Sequence, residues 1–362
     1  MDNADVTAKV NLDRIFNLSD QLTLFAYGLG NHGGRATALM GDFQVASNIE
    51  AARTWRLFEC WSQYNLPNDR LSVLVGLYDL NSEFDILKPG TLFINSSFGI
   101  GAEYAQSGKN GPSIFPVSSF GIRLATITGE HTRLRFALLD GVPGNPGNLK
   151  SNEISLSFND GMLVASEFSI YTSGEEDKEV RDQLERAYVT RRRKVGREYE
   201  FASADKINIG WWFYTDRFRP VNDSTDLRFG NTGAYIGMQQ YFPLGTEADY
   251  VAVFARFGVA NDDFNRFGSA LSGGAVISNP FVQSDHSLGL AFSSGFNGKA
   301  FREAQVSSSE IAETVVELTY AMSIGSWLLV QPDVRYVINP STRAELDNPL
   351  SFSLLIQASL KL

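Results

Sequence analysis

Three observations predict an all-β fold, a transmembrane antiparallel β-barrel. Apolar and polar residues alternate with a period of two, no long apolar run occurs, and connections alternate between short and long. His131–Asp140, HTRLRFALLD, shows the alternation. Thr132, Leu134, Phe136 and Leu138 fall on one face of a strand; His131, Arg133, Arg135 and Ala137 fall on the other. Two such faces need two solvents. A soluble β-sandwich offers core and water, whereas an outer-membrane barrel offers lipid outside and a wet lumen inside. No stretch approaches the roughly 18 apolar residues of a spanning helix. A barrel strand escapes that requirement, because only every second residue faces lipid.

Fifteen strands are expected, at roughly 5–17, 21–30, 49–64, 71–80, 119–128, 131–140, 153–171, 206–215, 232–242, 249–259, 270–279, 286–295, 309–322, 326–337 and 350–361. Short connections (Leu18–Asp20, Leu66–Arg70, Thr128–Glu130, Pro243–Ala248, Phe281–Asp285, Ser323–Gly325) alternate with long ones at 31–48, 81–118, 141–152, 216–231, 260–269, 296–308 and 338–349. Short turns on one rim and long loops on the other are the pattern of outer-membrane barrels. The segment 153–171 tests the parity. Ile154, Leu156, Phe158, Met162, Val164, Phe168 and Ile170 keep one phase through Asn159-Asp160-Gly161, which predicts one long bulged strand and not a hairpin. The last strand alternates to its end, Phe352, Leu354, Ile356, Ala358, Leu360 and Leu362 against Ser353, Leu355, Gln357, Ser359 and Lys361.

One segment departs from the pattern. Residues 173–205 open with GEEDKE and continue through Arg181, Arg186, Arg191, Arg192, Arg193, Lys194 and Arg197. Acid first and base last complements a helix dipole, with Ser173 as a candidate N-cap. Strand parity puts this insert on the short-turn, periplasmic rim. It reads as a solvated helical or disordered insert, or more sharply as a lumen plug or partner contact.

Composition excludes other classes. Charged residues make up 20% of the 362 and mean hydropathy is −0.13, too polar for a helical membrane protein. Net charge is −10, so a nucleic-acid backbone is not an expected partner. Cys60 stands alone, which excludes an internal disulfide and Cys-type zinc clusters. His32, His131 and His286 form no ligand pair. No catalytic constellation and no cofactor are implied. Met1-Asp-Asn is not a signal peptide, so either the protein stays inside the cell or a signal was removed before this numbering.

Several blocks, in order along nearly the whole chain, resemble the carbohydrate-selective porins of the OprB-type family of Gram-negative outer membranes. They are Val45-Ala-Ser-Asn-Ile-Glu-Ala through Trp61; Gly76-Leu-Tyr-Asp-Leu-Asn-Ser-Glu-Phe-Asp followed by Leu92-Phe-Ile-Asn-Ser-Ser-Phe-Gly; Asp140-Gly-Val-Pro-Gly; Gly210-Trp-Trp-Phe-Tyr-Thr; and Val330-Gln-Pro-Asp-Val-Arg-Tyr-Val-Ile-Asn-Pro. The resemblance implies a sixteen-stranded barrel in the outer membrane, carrying mono- or oligosaccharides. Its wall would meet lipid and lipopolysaccharide, and its assembly would be either a monomer or a homotrimer. Val6–Phe16 then looks like the family's second strand, so the first strand is expected to be missing from this chain. The insert at 173–205 lies outside the family pattern.

In such a pore the chemistry is that of a constriction, where inward charged groups select by field and hydrogen bonding. Phase turns Arg123, Arg133, Arg135, Arg256, Asp333 and Arg335 inward. An arginine facing lipid at the midplane would cost about 2–4 kcal/mol. Arg outnumbers Lys by 22 to 9, and its planar fork suits vicinal hydroxyls. Strand 49–64 is ambiguous, with Arg53, Trp55, Glu59 and Trp61 on one face and Arg56, Phe58 and Cys60 on the other. The first face, carrying more charge, is expected to be lumenal. The long loop 81–118 is expected to fold inward and narrow the pore, with Asp79 or Glu83 facing the arginines. Trp55, Trp61, Trp212 and Tyr214 are candidates for stacking on the apolar faces of sugars. The bland alternatives are arginines paired to wall acids, aromatic rings built into the interfacial girdles, and a loop lying wholly outside.

The function expected is passive, substrate-biased diffusion of carbohydrates. A porin for amino acids or anions is the alternative on the same barrel. An outer-membrane barrel enzyme and a soluble β-sandwich binding module are alternatives from other classes.

Overall fold

The computed structural model of the chain describes residues 2–12, 22–66, 70–129, 131–154, 157–171, 205–222, 225–245, 249–281, 285–305, 309–325 and 327–360. Most of the predicted insert at 173–205 lies outside them. Fifteen strands form one sheet: β1 (Asp2–Asn11), β2 (Leu22–His32), β3 (Thr54–Asn65), β4 (Leu71–Tyr78), β5 (Ser119–Gly129), β6 (Thr132–Asp140), β7 (Met162–Tyr171), β8 (Lys206–Tyr214), β9 (Thr232–Pro243), β10 (Tyr250–Ala260), β11 (Phe267–Ser278), β12 (His286–Asn297), β13 (Ala312–Ile324), β14 (Leu328–Ile338) and β15 (Leu350–Ala358). Each strand pairs with the next in chain order, a continuous meander. In an antiparallel meander the odd-numbered strands share one direction, so β1 and β15 run parallel. Among the described residues these two strands are the sheet's unpaired edges.

The sheet curls on itself. Glu313 of β13 accepts hydrogen bonds from the backbone of Phe43 and Gln44, which lie between β2 and β3. Such a contact requires the two ends of the meander to approach. The alternation sorts the faces. On β6, Leu134 and Phe136 are about two-fifths exposed, at 39% and 41%, while Arg133, Arg135, Ala137 and Leu139 are buried. The outward apolar stripe continues through Ile209, Trp211, Phe257, Leu290 and Leu318. No helix among the described residues is long and apolar enough to cross a membrane. That leaves the crossing strands of a barrel untouched.

Two sequence expectations need correction. The first is the single long strand over 153–171. The strand is β7 and begins at Met162, preceded by a 3₁₀ turn at Phe158–Asp160. Gly161 has φ +75°, and its carbonyl accepts from Gly141 N–H at 3.1 Å, so the two ends of a long loop meet there. The shared phase of 153–158 with β7 is coincidental, although the absence of a hairpin holds.

The second concerns β3. A β-bulge opposite Tyr27 and Gly28 leaves Phe58 unpaired, so Phe58 and Glu59 both turn inward. A bulge shifts the phase by one residue. Before it, Arg56 is inside and Trp55 outside; after it, Trp61 is inside and Cys60 outside. The predicted lumenal face is therefore right for Glu59 and Trp61 and wrong for Trp55, which is 52% exposed.

Charge on the outward stripe tests this sorting. Phe136→Arg, at the middle of β6, is expected to lower stability in bilayers by about 2–4 kcal/mol. Chemical unfolding from lipid vesicles, against Phe136→Leu as reference, reads the difference.

Candidate site: loops pinned inside the wall

Residues 79–118 turn into the space enclosed by the sheet. A loop there carries backbone N–H and C=O groups with no strand to pair them, and leaving them bare is costly. The wall supplies the partners. Glu59 of β3 accepts the Asp79 N–H at 2.9 Å, and Glu167 of β7 accepts the Asp85 N–H at 2.8 Å. Gln239 of β9 accepts the Lys88 N–H at 2.8 Å. Gln331 of β14 donates to the Leu92 carbonyl at 2.9 Å, and Glu317 of β13 accepts the Asn95 N–H at 2.9 Å. The loop is thereby tied to strands spread over most of the sheet.

A second loop, 33–53, crosses to the same wall. Glu313 accepts the N–H groups of Phe43 at 2.8 Å and Gln44 at 2.9 Å, while Met40 and Ala46 pack on Val315 and Val337. The two loops also bond each other, Asn48 N–H to the Ile94 carbonyl at 2.8 Å and Ser96 N–H to the Val45 carbonyl at 3.2 Å.

The inward arginines join this framework. Arg256 of β10 donates to Asp85 at 2.8 Å through Nε and to Glu103 at 2.6 Å through Nη2, and its guanidinium lies over the Tyr235 ring at 5.3 Å. Two glycines make room for it. A Cβ on Gly101 would sit 1.9 Å from Arg256 Nη1, and one on Gly258 would sit 1.9 Å from Glu103 Oε1. Arg123 pairs with Glu83 at 2.7 Å and donates to Gln63 at 2.7 Å. Arg135 pairs with Glu167 at 3.1 Å, and Arg335 with Asp333 at 2.8 Å. Arg133 is buried on the same face of β6. Burial pushes the Asp85 carboxyl up to about 6, against the pull of Arg256. Burial, with Glu313 nearby, brings the Asp42 carboxyl to about 7.

The predicted residues thus separate into groups. Glu83, Arg123, Arg135, Arg256, Asp333 and Arg335 lie inside, each in an acid–base pair. Glu59 and Asp79 lie inside and join wall to loop. Arg53 precedes β3, is exposed, and donates to the Gly33 carbonyl at 2.7 Å. Of the aromatic candidates, Trp212 stacks on Tyr104 of the loop, with centroids 4.9 Å apart and planes 2° apart. The Tyr214 hydroxyl lies 3.2 Å from Ser107 Oγ, and Trp61 stacks on Phe25 at 4.9 Å. These rings grip the loop and the neighbouring wall. Sequence reasoning missed Glu167, Glu313, Glu317 and Gln239, whereas phase had already set Gln331 on the inward face with Asp333 and Arg335. All four share the inward parity of their strands, so the signal that exposed the arginines was also present for them.

The family described as carbohydrate-selective porin, OprB family, matches residues 1–360. The chain belongs to the OprB family of carbohydrate-selective porins. It is a porin of the Gram-negative outer membrane, and family and fold point to a channel rather than an enzyme. Among solved structures, the high-pH structure of Pseudomonas putida OprB is similar, with TM-score 0.81 at 17% identity over 98% of this chain and 87% of that one. The low-pH structure of the same protein gives TM-score 0.55 at 14% identity, covering 99% and 84%. A mutant of the Rh. blastica porin gives 0.51 at 7% identity, covering 99% and 89%. At these identities the likeness is one of fold. None of the curated proteins matches the chain in sequence.

Glu167 is the most heavily used anchor, taking the Asp85 N–H, Arg135, Asn208 and Tyr235. Removing one partner of a buried pair costs about 3–5 kcal/mol. Glu167→Ala is expected to lose that much in unfolding experiments and to open residues 79–118 to protease. Unchanged protection of the loop would refute its role as an anchor.

Proposed function

We propose that this porin lets sugars diffuse passively across the outer membrane, with bias set by the inward loop 79–118 and the charged wall around it. The observation that carries the reading is the loop itself, folded inside the sheet and bonded to wall groups on β3, β7, β9, β13 and β14. Such a loop narrows the passage and fixes its shape. Passive diffusion needs no cofactor and no energy source.

In this reading the arginines act in two ways. Arg123, Arg135 and Arg256 hold the loop through Glu83, Glu167, Asp85 and Glu103. Together with Arg133, Asp333 and Arg335 they also set the field and the hydrogen-bonding edge that a hydroxyl-rich solute meets. The aromatic rings Trp61, Trp212 and Tyr214 keep the loop seated, so stacking on sugar is a lesser role for them. Arg53 and Trp55 lie apart from the constriction. The long-loop rim faces outward and the short-turn rim faces the periplasm, the usual barrel orientation.

Liposome swelling tests the reading. Neutral hexoses are expected to enter vesicles containing the protein faster than zwitterionic amino acids of matched size. Equal rates for all solutes would remove selectivity and leave a general pore.

A further inference from the structure

Asp42 is buried without a partner at the place where the loop 33–53 docks. On one side the Gly41 carbonyl accepts from Ser341 Oγ at 2.8 Å, in the 3₁₀ turn Pro340–Thr342 that follows β14. On the other side the Phe43 N–H goes to Glu313 of β13 at 2.8 Å. These bonds fix Asp42 between loop and wall. The residue is 3% exposed, and neither carboxylate oxygen meets a donor among the described residues.

The charged groups that face it are Glu313 on β13, Arg335 on β14 and Glu50 in its own loop. All three are already engaged. Glu313 accepts the N–H groups of Phe43, Gln44 and Ser341. Glu50 accepts the Thr37 N–H and hydroxyl, each at 2.9 Å, and pairs with Arg35 at 3.4 Å. Arg335 pairs with Asp333 at 2.8 Å and donates to Ser353 at 3.1 Å. Arg335 therefore attracts Asp42 without bonding to it, while the two glutamates repel it.

A buried carboxyl with no partner takes up a proton more readily than it stays ionised. Burial first, then Glu313, raises Asp42 from 3.8 to about 7, against the pull of Arg335. In water an aspartate ionises near its ordinary value, about 3.9. The seated loop thus keeps a proton that a released loop gives up. Linkage fixes the direction: seating is fullest below about pH 4, weakens as pH rises, and levels off above about 7.

We propose that Asp42 is a proton-operated latch, which seats the loop 33–53 on β13 and β14 while protonated and frees it on ionising. That loop bonds the inward loop 79–118 through Asn48 and Ser96, so its release widens the passage at higher pH. The inference rests on the porin reading and adds a control to it.

Hydrogen exchange at the Phe43 and Gln44 N–H groups tests it, corrected for the intrinsic pH dependence of exchange. The Lys88 N–H, held by the uncharged Gln239, is the internal reference. From about pH 5 to about pH 8, wild-type protection at Phe43 and Gln44 is expected to fall about a hundredfold against Lys88. Asp42→Asn, neutral throughout, is expected to hold its protection constant. Single-channel conductance is expected to rise over the same range in the wild type and to stay level in Asp42→Asn. Wild-type protection that ignores pH overturns the proposal without need of a variant. So does pH dependence that survives in Asp42→Asn. Protection restored at the higher pH by millimolar Ca²⁺ overturns it as well, since a metal ion would then stand in the proton's place. Open channels of equal conductance at both pH values overturn the latch and leave the porin reading standing. Absence of any sugar-permeable channel at either pH overturns both.

Discussion

The carboxylate that accepts backbone N–H groups from an inward loop is the interaction on which the rest of this structure depends. A porin wall is satisfied by its own ladder, but a loop inside it is not. Glu59, Glu167, Glu313 and Glu317 solve the problem in the same way, each reaching from the wall to the loop backbone. Hydrogen bonds to a charged group contribute roughly 1.5–3 kcal/mol each, more than neutral ones. The same charge is costly to bury alone, so compensating groups must stand near it. Arg135 meets that need for Glu167, with Lys206 nearby.

This dependence gives the inward arginines a different weight from the one that parity alone suggests. An arginine forked between Asp85 and Glu103, with glycines at 101 and 258 clearing its path, is first of all a strut. Its charge still contributes to the field of the passage.

Much of the fold was legible in the sequence because a strand's two faces are written in period two. Fifteen strands, their order and the inward turn of Arg123, Arg135, Arg256 and Arg335 all follow from that phase. The misreadings fall where phase carries no information. A bulge at Phe58 changes parity without a sequence mark, which misplaced Trp55. The turn at Phe158–Gly161 preserves parity by chance, which lengthened β7. The pairing of wall and loop was not legible either. Glu313 and Phe43 are 270 residues apart, and only the curl of the sheet brings them together.

The most direct measurement of the central claim is the single-channel conductance of Glu317→Ala. Glu317 holds the N–H groups of Ile94 and Asn95 on the far wall. If wall carboxylates set the constriction by pinning the loop, the folded variant will show a larger and noisier conductance than the wild type. A folded variant with wild-type conductance and wild-type noise would contradict the account.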